Sequence, residues 1–456
     1  MTLKRLYIVT FLGLSSISVN ADTLQQVYET AKYKDPVILK SKAQYNVFAE
    51  KISESRAALL PQIGFDLDAN RVDSSRAPAD NTNYGASLGL TQSIYNGSYW
   101  QQADISEKQA TEYAAIYGYA AQDLLVRVAT AYFDILRANE EVKSIEANKR
   151  AVERQLEQTK QRFDVGLIAI TDVHEAQAAY DRSVADLIVA KNTLANNYYS
   201  LRELTGEDVK EVSYLDTETF APQPLEGDIT YWRNKALEHN LSLHSKRIAK
   251  ELAQMNIELA KTGHGPTIDF TAGLGYRNYD YDIAPNSNQG DATSATFGVN
   301  LHVPIYSGGS ITSRVKQAQY SYIMASEDLV QDFRTTEAQV NSGYNNVQAS
   351  LSSIKAYEQT VVSSQSALDA AEASFEVGTR TIVDVLDATR SLYASQNQLA
   401  NARYDYIMNM IQLKFSAGTL TEQDIFDISA SLTEVSDASA DKEIEDAKKK
   451  VNDEQS

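Results

Sequence analysis

Apolar positions along this chain follow two periods, and each period appears in both halves. From Ile63 every second residue is apolar (Ile63, Phe65, Leu67, Ala69), with Gly64, Asp66 and Asp68 between them. The same alternation returns in Tyr84, Ala86, Leu88 and Leu90, and again in Ile268, Phe270, Ala272, Leu274 and Tyr276. Its last appearance is Ala295, Phe297, Val299, Leu301, Val303 and Ile305. A period of two predicts strands with one apolar face, here over 62–73, 84–95, 267–279 and 294–306. Polar loops, 73–83 and 280–293, join them in pairs. Strands of about ten residues suffice to cross a bilayer when tilted.

The longer stretches follow the helical period. Ser98 to Arg162 contains no Pro and one Gly, Gly118, which predicts a helix on the order of 95 Å long. Within it Leu125, Val128, Tyr132, Ile135, Asn139 and Val142 alternate spacings of three and four, the seam of a coiled coil and not a broad apolar face. The pattern breaks at Val165-Gly166-Leu167 and resumes with Val173, Gln177, Tyr180 and Val184. A helical hairpin with its tip at 164–171 follows. A second hairpin turns at 376–383 around Gly378, where Thr381 precedes Asp384 as a helix start. A shorter helix, about 23–57 and 228–262, leads into each strand pair.

These elements recur in one order because the chain is written twice. Leu59-Leu60-Pro61-Gln62-Ile63-Gly64-Phe65 aligns with His264-Gly265-Pro266-Thr267-Ile268-Asp269-Phe270 at an offset of 205 residues. Phe163-Asp164-Val165-Gly166 aligns with Phe375-Glu376-Val377-Gly378 at 212. Ile94-Tyr95-Asn96-Gly97 and Ile305-Tyr306-Ser307-Gly308 align at 211. Collinear motifs at a nearly constant offset define two structural repeats, 22–220 and 228–430. The small change in offset falls between the strands, where a loop absorbs an insertion.

Composition adds the setting. Residues 1–21 carry Lys4 and Arg5, an apolar run from Leu6 to Leu14 and the small ending Val19-Asn20-Ala21, the pattern of a secretory signal peptide. Residues 431–456 are poor in apolar side chains and read as a disordered acidic tail. Only 8 Pro and 20 Gly in 456 residues agree with long uninterrupted helices. The net charge of −19 makes the chain a poor nucleic-acid binder. With no Cys, thiolate catalysis and disulfides are excluded. The five His are scattered and Ser307-Gly308-Gly309-Ser310 lacks the lysine of a phosphate loop, so neither an enzyme, a cofactor nor a metal site is expected. Tyr84, Tyr95, Tyr99, Trp100, Tyr276, Tyr279, Tyr281 and Tyr306 stand near strand ends, where an aromatic girdle would lie.

Four strands cannot close a barrel, and lipid tolerates no open sheet edge. The chain must therefore assemble with copies of itself: two give eight strands and a filled lumen, three give twelve and a pore.

Several segments carry a resemblance over almost the whole chain. They are Leu59-Leu60-Pro61-Gln62, Thr91-Gln92-Ser93-Ile94, Gln161-Arg162-Phe163, Ala169-Ile170-Thr171-Asp172-Val173, Pro304-Ile305-Tyr306 and Val315-Lys316-Gln317-Ala318-Gln319-Tyr320. The longest is Val377-Gly378-Thr379-Arg380-Thr381-Ile382-Val383-Asp384-Val385-Leu386-Asp387-Ala388-Thr389. Together they resemble the TolC family of outer-membrane exit ducts. The resemblance implies a mixed α+β homotrimer, with a twelve-stranded barrel in outer-membrane lipid and a tunnel of helical hairpins in the periplasm. It also implies docking of the tips, Gly166, Leu167, Gly378 and Thr379, onto a periplasmic adaptor and inner-membrane pump, for drug efflux and type I protein secretion.

The family closes its tips with a latch, whose matching residues here are Arg380, Asp172, Thr171 and Gln155. Phe375 stands where the family has Tyr and cannot donate a hydrogen bond to Asp172, which predicts a leakier resting channel. Ile168 occupies the place of Arg380 in the first repeat, the asymmetry that a latch between unlike hairpins requires. Asp384 and Asp387, three apart on a helix, share a face and would form two acidic, cation-favouring rings in a trimer. The alternative reading is a non-conducting periplasmic coiled-coil protein, structural or adhesive, anchored by a small barrel. It gives no reason for the unmatched Arg380.

Overall fold

The computed structural model describes residues 21–73, 81–215, 220–281 and 290–433. The signal peptide expected at 1–21 lies outside them save for Ala21, and so does the tail from 434 onward.

Each repeat opens with two helices where one was expected: α1 (Leu24–Lys34) and α2 (Pro36–Ala57), then α5 (Ile229–His239) and α6 (Leu241–Thr262). In the first repeat the break follows from Pro36, which disfavours helical backbone at the residue before it. Asp35 takes ψ 121° and caps α2, its Oδ2 accepting the Ile38 N–H at 3.1 Å. The second repeat has no proline there. Asn240 does the same work, its Oδ1 accepting the Leu243 N–H at 3.0 Å while its Nδ2 donates to the Ser416 carbonyl at 2.9 Å.

The strands β1 (Gln62–Val72), β2 (Asn81–Asn96), β4 (Thr267–Tyr281) and β5 (Gly290–His302) form one antiparallel sheet in the order β1-β2-β4-β5. Its outer strands come from different repeats. Register places the apolar residues of all four strands on one face: Phe65 opposite Leu88, Leu88 opposite Leu274, Leu274 opposite Ala295. This face is open, with Phe297 76%, Leu67 73% and Ile63 70% exposed. From Ile268 to Asn278, where the row turns polar, the face spans about 33 Å along the strand, or about 25 Å of height at a 40° tilt. That is the hydrophobic height of an outer-membrane barrel. Tyr84 and Tyr276 lie at one end of the band, Tyr95, Tyr99, Trp100 and Tyr306 at the other, all exposed. Tyr279 and Tyr281 fall instead at alternate positions of β4. A bulge between Ser93 and Tyr95 shifts the register of β2 by one residue before its last two pairs with β4. β5 ends at His302 and not at 306, because Pro304 has no N–H to give a ladder.

The four longest helices are α3 (Gly97–Asp164), α4 (Ile170–Thr205), α7 (Ser310–Glu376) and α8 (Ile382–Ser416). In the middle of α7 the buried positions are Thr336, Val340, Gly343, Val347, Ser350 and Ile354, a three-four seam. On α4 Ala176, Ser183 and Ala190, seven apart, are the buried small residues. α3 departs from a narrow seam between Leu124 and Leu136, where Leu124, Ala129, Phe133 and Leu136 join the seam residues in full burial. The cause is a collar around it, built from α1, α9 (Glu422–Ala430) and the two-residue pair β3 (Tyr214–Leu215) with β6 (Leu432–Thr433). Tyr132 is fully buried there, with its hydroxyl on the carbonyls of Asp22 and Ser213 at 3.1 and 3.0 Å. Leu432 and Thr433, which fall within the tail expected from 431, pair with Leu215 and Tyr214 and close the collar.

Gly206 and Gly418 end α4 and the turn after α8 with φ of 67° and 71°. A Cβ on Gly418 would meet the carbonyl carbon and oxygen of His239 at 2.4 Å, whereas on Gly206 the nearest atom is Lys34 Cδ at 3.9 Å. Gly418→Ala is therefore expected to cost about 3 kcal/mol and Gly206→Ala about 1 kcal/mol. Thermal unfolding of the two variants checks the difference.

The hairpin tips as candidate functional site

Both tips are built by the same turn. The Gly166 N–H donates to the Phe163 carbonyl at 2.8 Å and the Leu167 N–H to the Arg162 carbonyl at 2.9 Å. Gly378 and Thr379 donate likewise to Phe375 and Ser374 at 3.1 and 2.9 Å. This pair of hydrogen bonds needs a left-handed residue after the helix, and Gly166 and Gly378 supply φ of 78° and 76°.

The tips differ in how the next helix starts. Thr381 caps α8 in a full capping box: its N–H and Oγ1 donate to Asp384 Oδ2 at 2.9 and 2.8 Å, and the Asp384 N–H donates back to Thr381 Oγ1 at 3.4 Å. The equivalent cap of α4 is Ala169, whose methyl group can make no capping hydrogen bond. Asp172, the counterpart of Asp384, is left without that partner. The hydrogen bonds from the Thr381 N–H and hydroxyl hold the Asp384 carboxyl below the usual carboxylate range, with Arg380 nearby adding to the effect. Asp387 is exposed and paired with Arg390 at 3.2 Å. The two carboxylates share one exposed face, each already engaged within its own helix.

Arg380 is exposed, and among the described residues no ion pair or side-chain hydrogen bond joins it to Asp172 or Thr171. One protomer therefore does not bring the expected latch together. What it does bring together lies between the hairpins. Gln155, on α3, is buried and donates through Nε2 to Thr389 Oγ1 on α8 at 3.2 Å. Arg162 stacks its guanidinium 4.6 Å above the Phe375 ring and also donates to the Phe375 carbonyl at 3.4 Å. Beneath them Val152 packs with Leu368, Ala371, Ile382, Val385 and Leu386. A polar cavity of about 570 Å³ opens here, lined by Gln155, Gln158, Arg162, Glu372 and Phe375 among others. Arg162 and Thr389 are site residues that sequence reasoning did not single out. The signal existed, because Arg162 stands opposite Ser374 in the other repeat at the same offset of 212 that exposed Arg380.

No helix among the described residues is long and apolar enough to cross a membrane. The membrane element is the sheet. A protein family described as outer membrane efflux protein matches residues 27–207 and 232–419, one match in each repeat. The chain is 44% identical to outer membrane protein TolC of Vibrio cholerae over 427 residues, covering 94% of this chain and 98% of that one. It belongs to the outer membrane efflux protein family. Outer membrane protein TolC of Escherichia coli is 42% identical over 92% of this chain and 87% of its own length. The proteases secretion protein PrtF of Dickeya chrysanthemi is 27% identical over 94% and 95%. Among solved structures, the CmeC outer membrane channel of Campylobacter jejuni superposes with a TM-score of 0.76 at 16% identity, over 95% of this chain and 98% of that one. That likeness shows the fold. As a member of the outer membrane efflux protein family this chain is a TolC-like efflux and secretion duct of the outer membrane, and not an enzyme.

Proposed function

We propose that the working duct is a homotrimer whose periplasmic end is gated at the hairpin tips. The observation that carries the trimer is the sheet: β1 and β5 are both unpaired edges, and the apolar face they bound is open. In lipid each edge must find a partner, so β5 of one copy pairs with β1 of the next. Eight strands would leave a lumen that side chains fill, whereas twelve leave a bore. The polar face, with Gly64, Gly89 and Gly273 in one row, lines that bore.

Closure then falls between copies. Arg380 of one protomer reaches Asp172 and Thr171 of its neighbour, while Gln155 and Phe375 fix the hairpins within each protomer. Asp384 and Asp387 repeat three times around the entrance and favour cations. At the tips Val165, Leu167 and Val377 are 71%, 74% and 75% exposed, and Gly166, Gly378 and Thr379 stand beside them. This apolar rim is the surface offered to a periplasmic adaptor, through which an inner-membrane pump delivers drugs or secreted proteins.

The test is the mass of the detergent-purified assembly together with its conductance in a planar bilayer. A three-chain particle carrying a small cation-favouring current is expected. A two-chain particle, or a trimer that never conducts, overturns the proposal, the latter in favour of a structural protein.

A further inference from the structure

The polar face of the sheet carries a charged strap that crosses three strands. Asp68 on β1, Gly85 on β2 and Arg277 on β4 are consecutive partners in one row of the register. Asp68 Oδ2 lies 3.5 Å from an Arg277 guanidinium nitrogen, so its carboxylate reaches over β2. Only glycine permits this, because a Cβ on Gly85 would come within 2.3 Å of Asp68 Oδ1. The same arrangement recurs with neutral groups: Ser294 Oγ lies over Gly275 and Thr296 Oγ1 over Gly273, each 3.0 Å from where a Cβ would be. Polar side chains on this face therefore lie flat along the wall, and the strap is the rung that pairs a cation with a carboxylate.

We propose that Arg277 is a selectivity-determining residue of the barrel lumen, its guanidinium held on the wall by Asp68 across Gly85 so that it offsets the carboxylates of Asp66 and Asp68. The inference rests on the trimeric-barrel reading. An exposed pair of this kind adds little stability, so its consequence is where the charges sit. Asp66, Asp68 and Arg277 together carry −1 in each copy, hence −3 in three copies. Without the guanidinium the same belt carries −6, and a narrow water-filled lumen concentrates that field on passing ions.

The chain has no Cys, so Ser87→Cys, one rung from the strap on the same face, introduces a single thiol type. Its labelling rates with cationic and anionic methanethiosulfonates of matched size, added from the outer side to the full assembly in liposomes, read the local potential without passing the tips. In 50 mM salt, Arg277→Gln is expected to raise the cationic-to-anionic rate ratio at least roughly threefold, and Asp68→Asn to lower it. Both shifts should shrink in 1 M salt, where the Debye length falls to about 3 Å. Equal ratios in all three backgrounds, or shifts in the same direction, overturn the assignment of Arg277. If neither reagent labels the thiol in an intact trimer, the face is not lumenal, and the barrel reading fails along with it.

Discussion

Replacing Asp172 and Arg380 together by alanine is expected to raise single-channel conductance several-fold above wild type. Each exposed ion pair contributes about 0 to 1 kcal/mol, so in the proposed trimer three between-protomer pairs would hold the closed state by at most about 3 kcal/mol. That is roughly a hundredfold in the open-to-closed ratio. The contacts that hold each protomer's own tip, Gln155 to Thr389 and Arg162 over Phe375, are untouched by the substitutions. The double variant should therefore remain a folded trimer whose tips part more readily. Asp172 suits this role because Ala169 cannot tie it into a capping box, whereas Asp384 is tied by Thr381. Phe375 sharpens the expectation. It stacks under Arg162 but has no hydroxyl for Asp172, so Phe375→Tyr should lower the resting current, and high salt should raise the wild-type current. A double variant that conducts no more than wild type would remove Asp172 and Arg380 from the gate.

Most of the architecture was legible because it rests on local periodicity. Alternation at Ile63, Phe65 and Leu67 and the three-four seam at Val340, Gly343 and Val347 are facts of sequence, and the offset near 212 relates the hairpins without any structure. What was not legible depends on partners distant in the chain. Tyr214–Leu215 pairs with Leu432–Thr433 across more than two hundred residues, and two-residue strands carry no period. The widening of the buried face of α3 around Phe133 has the same kind of cause, since distant elements cover it: the collar and, on α8, Tyr404, whose ring lies 5.9 Å from that of Phe133. Arg162 was open to detection, since its repeat partner is Ser374. The capping of α8 by Thr381 was read correctly, but that the same bond engages the Asp384 carboxylate emerges only from side-chain geometry. The helix breaks at Asp35 and Asn240 are intermediate: Pro36 announces the first, while nothing local announces the second.

Those two breaks yield the other large effect. Asp35 and Asn240 stand at equivalent places and cap equivalent helices, yet their second partners differ in sign. Arg127 donates to both carboxylate oxygens of Asp35, at 3.2 and 2.8 Å, whereas Asn240 must itself donate, to the Ser416 carbonyl. Burial pushes the Asp35 carboxyl up, but the hydrogen bonds from Arg127 and Ile38 outweigh it and leave it below its ordinary value. Its stabilising contribution is thus present above the unfolded pKa and lost as pH falls through the folded one. Asn240→Asp reverses that relation. An ionised carboxylate at a site only 6% exposed would face the Ser416 carbonyl where asparagine donates, costing about 3 kcal/mol at neutral pH. Protonated, the new group can donate to Ser416 as asparagine does, so its folded pKa rises. The penalty then appears as pH climbs above about 4, the unfolded carboxylate value. Amide exchange at the start of α6 should be roughly a hundredfold faster than wild type at pH 7.5 and nearly equal to it at pH 4. Equal exchange at both values would mean that the Asn240 side chain does not hold the break.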